Sequence, residues 1–441
     1  MHKANPRSAA VDALVRIENR VFINKALDDV LSEYELSDLN RGLATEIVYG
    51  TVRMQKTIDY ILDMISSIKT CDLNQQVRSI LRAGAYQILY LDRVPVSAAV
   101  NEAVKLAPAG KLKIRGYINA VLRNLARKHS SIPFPDLESD PVSHIAVKHS
   151  HPEWLVARWL ARYGPEATIK LCEVNNRTPE LHLRVNTLKI TCDELKALFA
   201  EQRIVVEEGR FAPDVLVANK ALNPAGDPYF EDGYYYIQNE GSALVAHAVA
   251  PLAGETVYDM CAAPGGKATH LAQLMDNQGL IVAVDLNQER LGLILENAAR
   301  LGISIIKTAE GDAQTIELPN ADRVLVDAPC SGLGVLRHRP DARWRKKEQD
   351  IQALAKLQRQ ILANAATMVK PGGTLVYATC TTEPEENQEV IKWFLETHPH
   401  FSPSPLPSWF PVCKSVGMVA ILPFIHGIDG FFICKMQNNQ S

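Results

Sequence analysis

The segment "VYDMCAAPGGKATHLAQLM", residues 257–275, decides the fold expected for the second half of this chain. An apolar strand enters a turn that contains Gly265 and Gly266, and a helix follows. Glycines let the backbone approach a ligand closely, and the first turn of the helix presents free N–H groups. The segment matches neither the G-x-G-x-x-G dinucleotide pattern nor a Walker A loop. It therefore predicts a strand–turn–helix ligand site of a different kind.

Strands and helices alternate along the chain from residue 238 to residue 441. The further strands are "LIVAVD", "SIIKTAEGD", "RVLVDAP" and "TLVYATC". This alternation predicts a Rossmann-like α/β domain with a mostly parallel sheet and helices on both faces. Ligands of such sheets bind at the carboxyl ends of the strands. The residues directly after each strand are therefore expected to carry the chemistry.

Two acids follow the next two strands, Asp285 in "VAVDLN" and Asp312 in "AEGDAQ". An acid in the position of Asp285 can accept both hydroxyls of a ribose. Asp312 can bond an adenine amino group or the adjoining backbone. Acids in these places after a Gly-Gly turn, without the pyrophosphate glycines, favour S-adenosylmethionine as the ligand. Ordinary turns between strand and helix are the alternative interpretation.

Two cysteines follow two further strands, Cys330 in "RVLVDAPCSG" and Cys380 in "TLVYATCTT", and Asp327 shares their edge of the sheet. A buried structural thiol is the ordinary interpretation of any single cysteine. An acid and a reactive thiolate beside a methyl donor suit methylation of pyrimidine C5. The thiolate adds to C6 and makes C5 nucleophilic, the acid stabilises the ring, and a base then removes the C5 proton.

The first part of the chain shows helical periodicity and no alternation of strands with helices. Residues 1–135 show helical spacing, as in "SAAVDALVRIEN" and "GYINAVLRNLARK", and predict an all-α bundle. A linker rich in Pro, Ser and Asp follows at 130–143. Residues 144–237 predict linker helices and a small α+β subdomain. Between residues 103 and 135 there are seven Lys and Arg but no acid, which indicates either a phosphate-contacting surface or a solvated helix face.

Composition narrows the class of protein. The chain has 441 residues, 47% hydrophobic and 22% charged, with a formal net charge of −3, as is typical of a multi-domain globular protein. It lacks both the ~20-residue apolar run of a membrane helix and a signal peptide, so we expect a cytoplasmic protein without membrane contact. Its eight cysteines lack C-x-x-C pairs and zinc-ligand spacing, so neither a metal nor disulfides are expected.

Several motifs together resemble one known family. "DMCAAPGGK", "VDAPCSG", "YATC" followed by "PEEN", and the terminal "DGFFICKM" resemble the bacterial RNA cytosine-5 methyltransferases of the RsmB (Fmu/Sun) type. "IVYGTVR", "VPVSAAVNEAVKLA" and "GYINAVLRNLAR" resemble the NusB-like RNA-binding domain of that family. The resemblance covers nearly the whole chain. It implies S-adenosylmethionine-dependent methylation of one cytosine, usually numbered 967, in 16S ribosomal RNA.

The resemblance also implies roles for individual residues. Cys380 is expected to attack C6, Cys330 to assist release, and Asp327 to hold the cytosine edge near the donor. Asp285 is expected at the ribose and Asp312 near the adenine. The methionine part of S-adenosylmethionine would be held by Cys261, Ala262, Ala263, Pro264, Gly265, Gly266 and Lys267, with Cys261 structural. In domain terms, 1–135 is expected to be the NusB-like RNA-binding domain, 144–237 to include an RNA-binding subdomain, and 238–441 to be the methyltransferase domain.

A basic segment, "RHRPDARWRKK", follows Cys330 and is expected to contact the RNA backbone through Arg337, Arg339, Arg343 and Lys346, with Trp344 stacking on a base or lying in a core. The chain departs from the family pattern here, because Leu333 replaces a hydroxyl and His338 and Arg339 are exchanged. "QN" at Gln238 likewise replaces the usual "QD".

Alternative functions remain open at this level. The same chemistry could act on another RNA such as transfer RNA. The protein could instead be an RNA-binding assembly or regulatory factor with a vestigial methyltransferase, which the intact Asp327, Cys330 and Cys380 disfavour. A NAD-linked dehydrogenase is a further option, but the sequence lacks the glycine fingerprint of that class. We expect a monomer.

Overall fold

The computed structural model describes residues 5–108, 110–219, 222, 224, 226–411 and 416–440. Cys413 lies outside the described residues. The chain divides into two compact units. The first, here called the helical unit, is Met1–Arg177 together with Leu336–Arg345. The second, here called the sheet unit, is Thr178–Val335 together with Lys346–Ser441.

The N-terminal part of the helical unit consists of helices, as its spacing predicts. Side chains at helical intervals, such as Leu14, Ile47, Ile80 and Leu122, are buried together in one core. The helices are α1 (Pro6–Glu18), α2 (Ile23–Glu33), α3 (Asp38–Arg53), α4 (Gln55–Ile65), α5 (Gln75–Tyr90), α6 (Val96–Lys105), α7 (Leu112–Lys128), α8 (Pro141–Lys148) and α9 (Glu153–Asn176). Helix α9 is kinked at Gly164, which precedes a proline.

Helices α8 and α9 belong to the helical unit, whereas the sequence groups them with the small α+β subdomain. The Thr57 hydroxyl on α4 donates to the Val147 carbonyl over 2.6 Å, and the Lys56 N–H donates to Ser150 Oγ over 3.1 Å. Trp159 on α9 is fully buried. The boundary between the two units near residue 177 thus divides the expected 144–237 domain, and these hydrogen bonds link the α8 region to α4.

The sheet unit begins with a small α+β layer. Its four strands form an antiparallel sheet in the order β2-β3-β1-β4. Phe199, Leu216 and Tyr235 fill the core beneath it. The elements are β1 (Leu181–Val185), α10 (Cys192–Glu201), β2 (Val206–Glu208), β3 (Val215–Ala218), α11 (Pro228–Glu231) and β4 (Tyr235–Ile237).

A larger sheet with helices on both faces follows. Its elements are α12 (Glu240–Val249), β5 (Thr256–Asp259), α13 (Gly266–Leu274), β6 (Leu280–Asp285), α14 (Gln288–Leu301), β7 (Ile306–Glu310), β8 (Ala321–Asp327), α16 (Glu348–Thr367), β9 (Val369–Thr379), α17 (Gln388–Thr397), β10 (Phe401–Pro403), β11 (Met418–Ile421), α18 (Pro423–His426) and β12 (Phe431–Asn438). The short helix α15 (Ala342–Arg345) follows β8 in the chain but belongs to the helical unit. Short 3-10 helices cover Thr70–Asp72, His129–Ser131 and Pro384–Glu386.

The larger sheet is mostly parallel, as the sequence predicts. Its order is β10-β12-β9-β8-β5-β6-β7; β5 to β9 pair in parallel, and β12 is antiparallel to β9, β10 and β11. Successive residues face opposite sides, so Val257 enters one core and Tyr258 the other. The carboxyl ends of β5, β6, β7, β8 and β9 therefore meet along one edge. Among the described helices, none is long and apolar enough to cross a membrane.

Candidate active site

The two predicted cysteines lie side by side at the edge of the larger sheet. Asp327, the last residue of β8, is in register with Ala378 on β9, so the turns after these strands are neighbours. The Sγ atoms of Cys330 and Cys380 are 3.3 Å apart. The hydrogen bond with Cys380, together with burial, raises the pKa of Cys330 well above the usual value of a thiol. The two sulfurs are therefore close enough to share one proton.

An ion pair joins the thiol edge to the glycine turn. Lys267 Nζ lies 2.6 Å from Asp327 Oδ2. Burial alone would lower the pKa of Lys267, but the charges of Asp327, Asp259 and Cys380 outweigh it, and the pKa is raised. Lys267 is therefore positively charged at neutral pH. Its ammonium lies 5.9 Å from the centre of the Phe431 ring, in the "DGFF" motif.

Asp285 holds the loop that precedes α13. Its Oδ2 accepts the Ala263 N–H over 3.1 Å, and Oδ1 accepts the Asn287 N–H over 3.1 Å. The Asp285 carbonyl accepts the Gly311 N–H over 3.1 Å, which places Asp312 beside the same edge. Asp312 in turn accepts the Gln314 N–H over 2.9 Å. The structure thus brings both acids to the edge that carries the thiols.

The glycines of the turn have a steric reason. Gly265 has φ of +99°, and a Cβ added there would lie 3.1 Å from the Cα of Ile294. A Cβ on Gly266 would lie 3.2 Å from the Tyr236 ring. The backbone conformation of Gly265 is one that other residues adopt at a cost. The two glycines therefore let the turn pack closely against Ile294 and Tyr236.

Asp259 is an acid at this edge that the sequence analysis did not select. It ends β5 and is fully buried; among the described residues neither carboxylate oxygen has a partner in good hydrogen-bond geometry, and the Cys261 backbone N–H nearby only weakly favours its ionised form. Burial and the charge of Asp327 raise its pKa to about 7, although Lys267 acts in the opposite direction. The only signal in the sequence was its place at a strand end, in "DMCAAPGGK". An unpaired buried carboxylate beside a glycine turn fits a bound group that carries an amine.

Arg184 is a second residue that the sequence did not reveal. It lies on β1 of the small sheet and is completely buried. Its guanidinium donates to the Gly266 carbonyl over 2.5 Å, to Thr269 Oγ1 over 3.1 Å, and to Gln238. Burial lowers its pKa to about 10, which leaves it charged at neutral pH. The small sheet thus braces the start of α13.

Two of the four basic side chains predicted to contact RNA in "RHRPDARWRKK" are buried. Arg343 is fully buried in the helical unit and donates to main-chain carbonyls, and Arg337 is also buried. The Trp344 indole N–H donates to the Val52 carbonyl over 2.8 Å, and the ring packs on the helical core. The expectation that Arg343 and Arg337 contact phosphate is therefore wrong, since both lie away from solvent. Arg339 is exposed and Lys346 is partly exposed.

One further group of ionisable side chains lies in the sheet unit. Asp214 accepts hydrogen bonds from His247 Nε2 over 2.9 Å, His270 Nε2 over 2.6 Å and Gln273 over 3.2 Å. Burial opposes ionisation of Asp214, but the two histidines hold its pKa far below the usual range. Burial lowers the pKa of His270 to about 4. Three donors satisfy this carboxylate, which ties the turn before β3 to α12 and α13.

Comparison with known proteins places this site in a family. The family model described as 16S rRNA methyltransferase RsmB/F matches residues 246–437, the NusB family model matches 4–127, and the RsmF/B-like ferredoxin-like domain matches 151–224. A relative from Bacillus subtilis, named probable ribosomal RNA small subunit methyltransferase B, is 42% identical over 99% of both chains.

The chain belongs to the RsmB/F family of 16S rRNA methyltransferases.

Solved structures agree with this membership. The protein PH0851 superposes with a TM-score of 0.84 and 29% identity over 98% of both chains. NSun6 from Pyrococcus horikoshii, solved with the S-adenosylmethionine analogue SFG, has a TM-score of 0.60 and 25% identity over 66% of this chain and 99% of its own. The predicted NusB-like bundle, small α+β subdomain and mostly parallel methyltransferase sheet are thereby confirmed, and the family model describes the α+β subdomain as ferredoxin-like.

Proposed function

We propose that this protein transfers a methyl group from S-adenosylmethionine to C5 of one cytosine in 16S ribosomal RNA, at the position numbered 967, in the cytoplasm. The observation that carries the proposal is the pair of thiols 3.3 Å apart at the sheet edge that also holds Lys267, Asp327 and the glycine turn. A single structural cysteine needs no such neighbour. Family membership supports the ribosomal substrate.

The residues around the glycine turn fit S-adenosylmethionine. The bound cofactor would supply a methyl group on a positively charged sulfur. Residues 261–267 would hold its methionine part, the unpaired carboxylate of Asp259 its amine, Asp285 the ribose and Asp312 the adenine. Tyr236 and Arg184 would keep the turn in place from behind.

In this mechanism Cys330 keeps its proton, and Cys380, 3.3 Å away, begins the reaction as a thiolate. Its sulfur forms a bond to C6, and the electron pair of the C5–C6 double bond moves to C5, which then takes the methyl group. Asp327 would hold the cytosine edge during this step. The charge on Lys267 pairs with Asp327 and favours the thiolate nearby.

Release requires the C5 proton to leave. In our proposal Cys330 takes that proton while it passes its own proton to the sulfur of Cys380. The C5–H electron pair restores the C5–C6 double bond, and the bond between the sulfur and C6 breaks. Both thiols end protonated, and Cys380 then loses one proton to solvent, which balances the overall transfer.

The RNA would be held by charge and shape. A cytosine in folded RNA must leave its stack to reach two thiols at a strand edge. In the helical unit, six basic side chains on and beside α7 are exposed and have no ion-pair partner among the described residues: Lys111, Lys113, Arg115, Arg123, Arg127 and Lys128. Such a surface suits phosphates. Arg339, exposed in its turn, remains a proposed phosphate contact.

Bisulfite sequencing of ribosomal RNA from a deletion strain tests the substrate. Loss of one 5-methylcytosine in 16S RNA, restored by the wild-type gene but not by Cys380→Ala, is the expected result. An unchanged map in 16S RNA with a loss in transfer RNA would move the same chemistry to another substrate. Unchanged maps in all RNA would refute the methyltransferase proposal.

The covalent step is tested separately with purified protein. Cys380→Ala should lose methyl transfer and the RNA adduct while it still binds RNA. Cys330→Ala should form an adduct that survives denaturing electrophoresis. Adduct formation by Cys380→Ala would show that Cys380 is not the nucleophile.

A further inference from the structure

Two adjacent residues of the "PEEN" motif contact the turns that carry the two thiols. Glu386 and Asn387 lie at the end of the 3-10 helix and just before α17, and both are buried. The reaction proposed above assigns them nothing. Their contacts divide cleanly, since Glu386 holds the turn of Cys330 and Asn387 holds the turn of Cys380.

Glu386 fixes the Cys330 turn through its carboxylate. Its Oε2 accepts the Ser331 N–H over 2.8 Å and the Gln358 side-chain amide over 2.9 Å. The same amide donates to the Pro329 carbonyl over 3.0 Å, so the residues on both sides of Cys330 are tied to one carboxylate. Tyr377 donates to the Glu386 carbonyl over 2.6 Å and fixes its backbone.

Asn387 fixes the Cys380 turn in the same way. Its side-chain amide donates to the Thr381 carbonyl over 2.9 Å, and its Oδ1 accepts the Thr379 hydroxyl over 2.6 Å. The residues on both sides of Cys380 are thus bound to one side chain. The two turns also meet directly, because Ser331 Oγ and Thr381 Oγ1 are 2.7 Å apart.

We propose that Glu386 is a positioning residue for Cys330, which keeps the release thiol in contact with Cys380 during the elimination step. A carboxylate is used where a buried backbone N–H must be held firmly, because hydrogen bonds to charged acceptors are the stronger ones. The proton exchange needs the two sulfurs near 3.3 Å, and a misplacement of about 1 Å can cost on the order of 100-fold in rate. The inference rests on the proposed cytosine chemistry.

The test compares Glu386→Ala, Glu386→Gln and the wild type with a 16S RNA transcript and labelled S-adenosylmethionine. Alanine leaves Ser331 N–H unheld, so turnover should fall at least about 30-fold while the covalent RNA adduct accumulates. Glutamine still offers an oxygen to Ser331 and should restore turnover to within about threefold of the wild type. Glu389→Ala, an exposed acid three residues along the same chain, is the matched control and should behave as the wild type.

The outcomes separate this inference from the function on which it depends. If the wild type methylates no cytosine and forms no adduct that depends on Cys380, the proposed function fails. If the wild type is active and Glu386→Ala turns over normally, or loses the adduct instead of accumulating it, the positioning role is refuted. Should the alanine variant not fold, Gln358→Leu removes the link between Glu386 and the Pro329 carbonyl and leaves the bond from Ser331 N–H to Glu386 in place. A several-fold accumulation of adduct is expected, and no accumulation would contradict the proposal.

Discussion

Replacement of Arg343 by methionine should lower the free energy of unfolding of the helical unit by much more than is usual for a residue in an exposed basic segment. Arg343 is fully buried and donates to the Ser150 carbonyl over 2.9 Å, Asn176 Oδ1 over 2.8 Å and the Asn175 carbonyl over 3.0 Å. Methionine matches its length but donates to none of them. Burial lowers the pKa of Arg343 to about 9, so the charge is retained at neutral pH but is costly to bury.

The magnitude follows from these three acceptors; a fourth, the Arg53 carbonyl, lies farther away at 3.4 Å and is left out of the sum. Each buried acceptor left unsatisfied costs about 1–3 kcal/mol. Two of the three are main-chain carbonyls that no nearby group can replace by rotation, so we expect a loss of about 3–5 kcal/mol in the free energy of unfolding. Urea denaturation, followed by hydrogen exchange of amides in α8 and α9, measures the loss in the helical unit itself.

Arg339→Met is the matched control, because Arg339 is exposed four residues earlier in the same segment. Its stability should stay within about 0.5 kcal/mol of the wild type. A loss below about 1 kcal/mol in Arg343→Met, or equal losses in the two variants, would contradict the role assigned to these hydrogen bonds. Arg343→Lys should fall between the two, since lysine keeps the charge but not the forked geometry.

Two further predictions concern the sheet unit. His270 has a pKa of about 4 in the folded chain and 6.5 ordinarily, so the folded state binds fewer protons than the unfolded state between these pH values, and the free energy of unfolding should fall by about 3 kcal/mol as the pH drops from 6.5 to 4. Urea denaturation at a series of pH values measures this dependence, and His270→Asn should reduce it. An unchanged pH dependence in His270→Asn would refute the assignment. Gly265→Ala places a side chain on a backbone with φ of +99° and against Ile294, so the free energy of unfolding should fall by about 2 kcal/mol. The variant should also bind S-adenosylmethionine more weakly, as measured by calorimetry. Binding with wild-type affinity would show that the turn does not contact the cofactor.

The positions of the reactive residues could be read from the sequence because one rule governs them. Parallel strands end at one edge, so residues as distant as Cys330 and Cys380 meet if each follows a strand. The same rule places Asp285 and Asp312 correctly at that edge. This rule depends only on local apolar runs and turns, and both can be identified directly in a sequence.

The partners of isolated charges could not be read in this way. Arg343 lies in a run of basic residues that is typical of an exposed segment, but its hydrogen-bond acceptors are more than 160 positions away along the chain. Arg184 and Asp214 likewise find their partners across different elements. A buried charge is distinguished by its surroundings and not by its neighbours in sequence, so these assignments required the fold. The boundary near residue 177 was missed for the same reason.

The return of Leu336–Arg345 to the helical unit has a consequence for synthesis on the ribosome. Residues up to Arg177 emerge first, but the segment Leu336–Arg345, with Arg343 and Trp344, is complete only when Arg345 has emerged, 168 residues after Arg177. At about 5–20 residues per second, this leaves the nascent helices incomplete for roughly 8–34 s. During that interval Asn175 and the Ser150 carbonyl stay open to water, and the nascent chain offers a substrate to chaperones that the finished protein does not.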